Sequence, residues 1–179
     1  TGTCTITITA ATSVTAMFAL NNAVVVTLAG TGAGTVASSP AGIDCGSDCA
    51  EAYPPGTTVT LTATPDATST FAGWSGGGCT GTGTCVVTTN TAAGVVATFT
   101  RTLYTLTVAR AGNGTGTITS TPAGITCGTD CTEDYVTATM VTLTAAPAAG
   151  SSFTGWSGGG CTGVGACSVT LAAATTVTA

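Results

Sequence analysis

The sequence predicts an all-β chain of tandem, small, disulfide-stapled modules arranged end to end, and three observations carry that expectation. Residues 45–85 return almost intact at residues 127–167, each position shifted by 82. That shift carries Cys45, Cys49, Cys79 and Cys85 onto Cys127, Cys131, Cys161 and Cys167, together with Tyr53 onto Tyr135 and Trp74 onto Trp156. Repetition at this period points to a unit duplicated for length, valency or assembly rather than for chemistry. The second observation is strict alternation of Thr with aliphatic residues, which gives strands one apolar face. The third is the lack of any stretch with a convincing helical period.

Taken in order, Thr5-Ile6-Thr7-Ile8-Thr9 is a regular strand pattern. Val24 to Leu28 and Tyr104 to Val108 form the next matched pair, followed by Gly34 to Ser38 with Gly116 to Ser120. In Thr58-Val59-Thr60-Leu61-Thr62-Ala63 the aliphatic residues share one face, and Val141, Leu143 and Ala145 repeat the pattern. Val95 to Thr100 closes the set. Thr suits the outer face because its β-branched side chain fits a pleated, half-buried surface. Asn113-Gly114 is the strongest short hairpin signal and is expected to join 104–110 to 116–120, with Thr31-Gly32 as its counterpart. Asn113-Gly114-Thr115 also fits the N-glycosylation pattern. The turn is preferred, since the other repeat lacks the Asn.

These matches divide the chain into residues 1–20, the C-terminal strands of a preceding truncated repeat, then repeat 1 at 21–101 and repeat 2 at 102–179. Cys4 aligns with Cys85, and Val14, Ala16 and Phe18 align with Val95, Ala97 and Phe99, at a shift of 81. Val177 and Ala179 match Val95 and Ala97. Either the chain is a segment of a longer polypeptide, or it is a subunit whose leading strand completes a neighbour; both readings stand. Cys4 is accordingly expected to be unpaired or to bond between units.

Only 5% of the 179 residues are charged, against about 25% in an ordinary soluble domain. There is no Lys and no His, while Thr supplies 45 residues. The mean hydropathy of +0.53 is spread through alternating positions, and no apolar run approaches the roughly 20 residues needed to span a bilayer as a helix. Membrane insertion is therefore not expected. With a net charge of −5 and only Arg101 and Arg110 as cations, nothing is available to neutralise phosphates, which argues against nucleic acid as a partner. A weakly charged surface offers little resistance to lateral association, so the expected partner is self, through adjacent repeats or subunits.

A unit of about 80 residues has a small core and commonly needs staples. Local pairing would close Cys45 to Cys49 and Cys79 to Cys85 around loops rich in turn formers, and likewise Cys127 to Cys131 and Cys161 to Cys167. Loop entropy gives roughly 2 kcal/mol for each short closure and nearly 4 for a crossed Cys45 to Cys79 link. Entropy thus favours crossing, whereas the Gly-rich turns favour local closure, which is the pairing expected here. Zinc is the rival use of four cysteines, but the Thr-rich, Lys-free composition suits an oxidising exterior, so disulfides and an extracellular or cell-surface location are expected.

The runs Gly34-Thr35-Val36 through Cys49, Gly56 through Pro65, and Phe71-Ala72-Gly73-Trp74-Ser75-Gly76-Gly77-Gly78-Cys79 resemble bacterial repeat domains related to internalin B-repeats. The resemblance covers essentially the whole chain. It implies β-grasp-like all-β modules strung along secreted or surface-attached proteins, with spacer, adhesive or scaffolding roles and no catalytic residues to transfer. A small β-sandwich is the other architecture compatible with two such units.

Six of the seven acids flank the first cysteine pair of each repeat: Asp44, Asp48 and Glu51, then Asp130, Glu133 and Asp134. Asp48, Glu51, Asp130 and Glu133 are weak calcium candidates through their hard oxygen ligands. The competing reading has Asp capping turn amides and Glu facing solvent. Asp44 becomes Thr126 in repeat 2, so the ligand set is not reproduced, and no metal or cofactor is expected. Phe71 with Trp74, and Phe153 with Trp156, are read as core anchors, the rival being a stacking platform for glycans. Catalysis has no ordinary activator for Ser or Thr without His or Lys, so no enzyme is expected. The function expected is a structural repeat unit of a bacterial extracellular fibre, filament or surface stalk, with an adhesin module for glycans or a host surface as the alternative.

Overall fold

The computed structural model describes residues 3, 5–7, 13–14 and 21–179. Repeat 1 contains eight strands: β1 (Asn22–Gly30), β2 (Gly34–Ser39), β3 (Asp44–Cys45), β4 (Ala50–Tyr53), β5 (Thr58–Pro65), β6 (Ser69–Gly76), β7 (Cys85–Thr88) and β8 (Ala93–Arg101). Repeat 2 runs through β9 (Leu103–Ala109), β10 (Gly116–Thr121), β11 (Thr126–Cys127), β12 (Thr132–Val136), β13 (Met140–Pro147), β14 (Ser157–Gly158), β15 (Cys167–Thr170) and β16 (Thr175–Thr178). No helix occurs among the described residues. It follows that none of them forms a helix long and apolar enough to cross a membrane.

Each repeat is a pair of four-stranded sheets. In repeat 1 the orders are β4-β1-β8-β6 and β3-β2-β5-β7, and in repeat 2 they are β12-β9-β16-β14 and β11-β10-β13-β15. One core fills the space between the two sheets of each repeat. Val24 and Val26 of β1 with Val95, Ala97 and Phe99 of β8 meet Val36 of β2, Val59 and Leu61 of β5 and Val87 of β7. Leu106, Val108 and Val177 meet Ile118, Val141, Leu143 and Val169 in the same way in repeat 2. Alternation produces this directly, since successive side chains in a strand point to opposite faces: along Thr58–Pro65, Val59 and Leu61 are buried while Thr58 and Thr62 are exposed. Of the two architectures compatible with the sequence, the sandwich is the one adopted.

The first and last strands of each repeat are neighbours in the middle of one sheet, and they run parallel. β1 pairs with β8 from Val24↔Ala93 to Gly30↔Phe99, and β9 pairs with β16 from Leu106↔Thr175 to Ala109↔Thr178. Sequence patterning carries no sign of this, because parallel and antiparallel partners bury the same alternating face.

Two expectations need correction. Asn113-Gly114 does not close a hairpin: β9 and β10 belong to different sheets, and Thr31-Gly32 likewise separates β1 from β2. Both strands of each pair bury their apolar face in the shared core, so the connection crosses from one sheet to the other instead of folding back within one. The leading alternation also forms no strand where it is described, residues 5–7 being exposed and unpaired with a sheet. Its counterpart Cys85–Thr88 pairs with β5. Cys4, Thr9, Ala16 and Phe18 lie outside the described residues.

Candidate functional site

The cysteines sit where turns leave the sandwich. Cys45 bonds Cys49 and Cys127 bonds Cys131, each with Cα atoms 4.2 Å apart; Cys79 bonds Cys85 and Cys161 bonds Cys167, with Cα atoms 5.4 Å apart. Closure is local in all four. The first turn is drawn tight by reciprocal backbone bonds, Asp44 N–H to Asp48 O at 3.0 Å and Asp48 N–H to Asp44 O at 2.9 Å. Such a turn already holds the two sulfurs within reach, so the bridge needs no strand rearrangement.

Trp organises the second loop. Trp74 donates its backbone N–H to Gly81 O at 2.8 Å and its indole Nε1–H to Gly83 O at 2.6 Å. Trp156 does the same to Gly163 and Gly165, at 2.8 and 2.6 Å. Phe71 meets Trp74 edge-on with ring centroids 5.0 Å apart, as Phe153 meets Trp156 at 4.8 Å. Gly73, at φ +136°, lets this happen: a Cβ there would approach Gly81 O to 3.0 Å. Both Trp residues are 5% exposed, so neither ring has a face open to a sugar. The rings belong to the core and to the loop they hold.

The acidic groups are dispersed over separate tasks. Asp48 Oδ1 accepts from Ala50 N–H at 3.3 Å, and Asp130 Oδ1 from Thr132 N–H at 3.2 Å, each closing an Asx-type turn after the disulfide. The stems of Glu51 and Glu133 lie over Gly42 and Gly124, where an added Cβ would come within 2.5 Å of each Glu Cγ. Asp134 accepts from Thr105 Oγ1 at 2.6 Å across the β9–β12 pair. Among the described residues no three His, Cys, Asp or Glu side chains converge as metal ligands.

Two polar networks have no motif behind them. Ser38 Oγ accepts from Ile43 N–H at 2.9 Å, donates to Pro40 O at 2.8 Å and lies 2.9 Å from Tyr53 Oη. In repeat 2 Ser120 Oγ accepts from Ile125 N–H at 2.9 Å and lies 2.8 Å from Tyr135 Oη, which donates to Pro122 O at 3.3 Å. Thr89, fully buried, donates to Pro54 O at 2.7 Å and accepts from Thr57 N–H at 3.1 Å, while its carbonyl receives Asn22 Nδ2–H at 2.9 Å. The signal available for Thr89 was its replacement by Leu171 one repeat later, since an exposed position has no reason to exchange Thr for a fully buried Leu.

The repeats meet at a single residue. β8 ends at Arg101 and β9 begins at Leu103. Thr102 donates its N–H to Thr68 O of repeat 1 at 2.9 Å, and its carbonyl accepts from Thr137 N–H of repeat 2 at 2.8 Å. The connector is thus bonded to both units.

The family model described as divergent InlB B-repeat domain matches residues 24–103 and again residues 104–179, placing the division next to Thr102. No curated protein and no solved structure matches the chain.

Proposed function

The chain belongs to the divergent InlB B-repeat domain family, and on that premise we propose that it is a structural repeat segment of an extracellular bacterial fibre, filament or surface stalk. The observation that carries this reading is the parallel pairing of first and last strands combined with the one-residue connector. A strand that leaves parallel to the one that entered delivers the chain to the opposite end of the sheet. Each repeat then advances the polypeptide by the length of its central strands, about 3.3 Å per residue. With Thr102 hydrogen-bonded on both sides, that advance is passed directly to the next unit.

Chemistry supports the same role. Four local disulfides hold the turns of small cores in an oxidising exterior. The buried Trp rings offer no platform for a glycan. Adhesion to glycans would have to use other surfaces.

Small-angle scattering tests the reading. The chain should give a pair-distance distribution with two peaks, one for each repeat and one for a fixed spacing between them. Inserting Gly-Ser-Gly-Ser after Thr102 should smear the second peak and leave the first. Equal, broad second peaks in both proteins would reject a role in setting distance.

A further inference from the structure

We propose that Glu51 and Glu133 guard the edge strands β4 and β12, withholding each from pairing with the same edge of a second copy of this chain; the inference stands apart from the spacing role above. β4 and β12 are the outermost strands of the sheets that hold the central parallel pairs. An outermost strand presents unpaired backbone groups to which another chain can add. The surface beside this edge would favour such addition. Ala50 and Ala52 are exposed and lie opposite Val25 and Ala23, so the outer face there is small and uncharged.

The register puts each Glu on the side of its strand where a charge is least expected. Residues directly opposite one another in an antiparallel pair project from the same face. Glu51 lies opposite Val24 and Glu133 opposite Leu106, and both of those partners are fully buried. Each half-buried carboxylate therefore leaves an edge strand on its core side, two residues before the buried Tyr53 or Tyr135. No Lys or Arg occurs on β1, β4, β9 or β12 to neutralise it. A strand laid along this edge would shut the carboxylate off from water, and a buried charge without a partner is costly. An inward-pointing charge is one of the devices by which sheets blunt their edges.

Carboxylates also occupy the donors that an added strand would use. Ala50 N–H bonds to Asp48 Oδ1 at 3.3 Å and Ala52 N–H to Glu51 Oε1 at 3.0 Å, instead of to backbone. In repeat 2 Thr132 N–H bonds to Asp130 Oδ1 at 3.2 Å. The opposite edge strand of repeat 1 is protected by other means: Trp74 N–H on β6 is bonded to Gly81 O, so the strand's own following loop covers it. Glu stands at the same register in both repeats although the next residue changes from Ala52 to Asp134. The inward charge is thus the feature that the two edges share.

Sedimentation velocity over a concentration series, with Cys4→Ser throughout to remove intermolecular disulfides, compares the parent with two double variants. Glu51→Gln with Glu133→Gln keeps the stem and the acceptor but loses the charge, and is expected to strengthen association by about threefold. Glu51→Val with Glu133→Val leaves a plain strand, and is expected to strengthen it by about tenfold or more. Amide exchange at Ala52 and Asp134 should slow as the Val protein is concentrated. A folded Val protein that associates no more tightly than the parent overturns the guard. If the Val protein does not fold, the Gln protein decides, and association equal to the parent's overturns the guard in the same way. Tighter association without slowing at Ala52 or Asp134 overturns this edge as the contact.

Discussion

Repeats 1 and 2 share a backbone plan yet solve two local problems with different chemistry. At the turn after β4, repeat 1 uses Pro54-Pro55-Gly56 clamped by the Thr89 hydroxyl, while repeat 2 uses Val136-Thr137-Ala138 and has the fully buried Leu171 at the position of Thr89. Backbone bonds are kept in both: Gly56 N–H reaches Thr89 O at 3.2 Å, and Ala138 N–H reaches Leu171 O at 2.7 Å. At the bend before β6, repeat 1 has Asp66 and repeat 2 has Ala148, yet Ser69 and Ser151 both receive a backbone N–H at 2.9 Å, from Ala33 and Thr115. The lesson is that the fold is fixed by alternation, glycine turns and backbone pairing, while the side chains that reinforce each turn are interchangeable between polar and apolar solutions.

The largest effect is expected from Phe99→Ala, which removes from repeat 1 a ring that is 1% exposed and tilts against Phe71. Truncating a buried Phe costs about 3–5 kcal/mol. Thermal unfolding followed separately by Trp74 and Trp156 fluorescence, each with the other Trp changed to Phe, should show repeat 1 melting well below repeat 2. A loss under about 1 kcal/mol would mean that Phe99 is not an anchor.

Next comes Thr89→Val, which keeps the shape and removes the hydroxyl. Pro54 O and Thr57 N–H lose a buried partner, a cost of about 1–3 kcal/mol. Chemical denaturation should show that loss in repeat 1; an unchanged midpoint would reduce the polar clamp to packing.

Smaller still is the exchange at the turn itself. Ala138 has φ +63°, a left-handed conformation that Gly56 adopts at +78°. Gly56→Ala should cost about 1 kcal/mol, as an L side chain pays for that conformation. Ala138→Gly should gain less than that, because the freer unfolded chain offsets part of the relief. Opposite signs from the two variants in denaturation midpoints are the expected outcome.

The mildest contrast is with pH. Hydrogen bonds from Ser69 first, then from the Thr68 backbone and hydroxyl, hold the exposed Asp66 carboxyl below its ordinary pKa. A lowered folded value means the bonds add stability above the unfolded pKa and lose it as pH falls below about 4 through the folded one. Amide shifts of Thr68 and Ser69 should titrate there in the wild type and stay flat in Asp66→Asn, while Ser151 shows no such response.

Much of this was legible in the sequence because alternation is a local signal. The strands at 58–65 and 140–147 follow from their Thr-aliphatic pattern, and each Trp meets the Phe three positions before it, with the Gly between them, as a Phe-x-Gly-Trp anchor requires. The hairpin at Asn113-Gly114 misled, since a turn signal says that the chain bends but not whether it returns to the same sheet. Parallel pairing of β1 with β8 was invisible for a related reason: partners some 70 residues apart leave no mark on either strand. The acidic groups looked like one cluster in the sequence because they are close along the chain, yet strand alternation sends Glu133 and Asp134 to opposite sides.

Parallel central strands also decide how a repeat answers a pull. Tension on the two ends of repeat 1 slides β1 along β8, loading the pairs from Val24↔Ala93 to Gly30↔Phe99 together rather than peeling them one at a time. Repeat 2 pairs β9 with β16 in the same sense, from Leu106↔Thr175 to Ala109↔Thr178, so a pull on its ends is met by the same kind of shear.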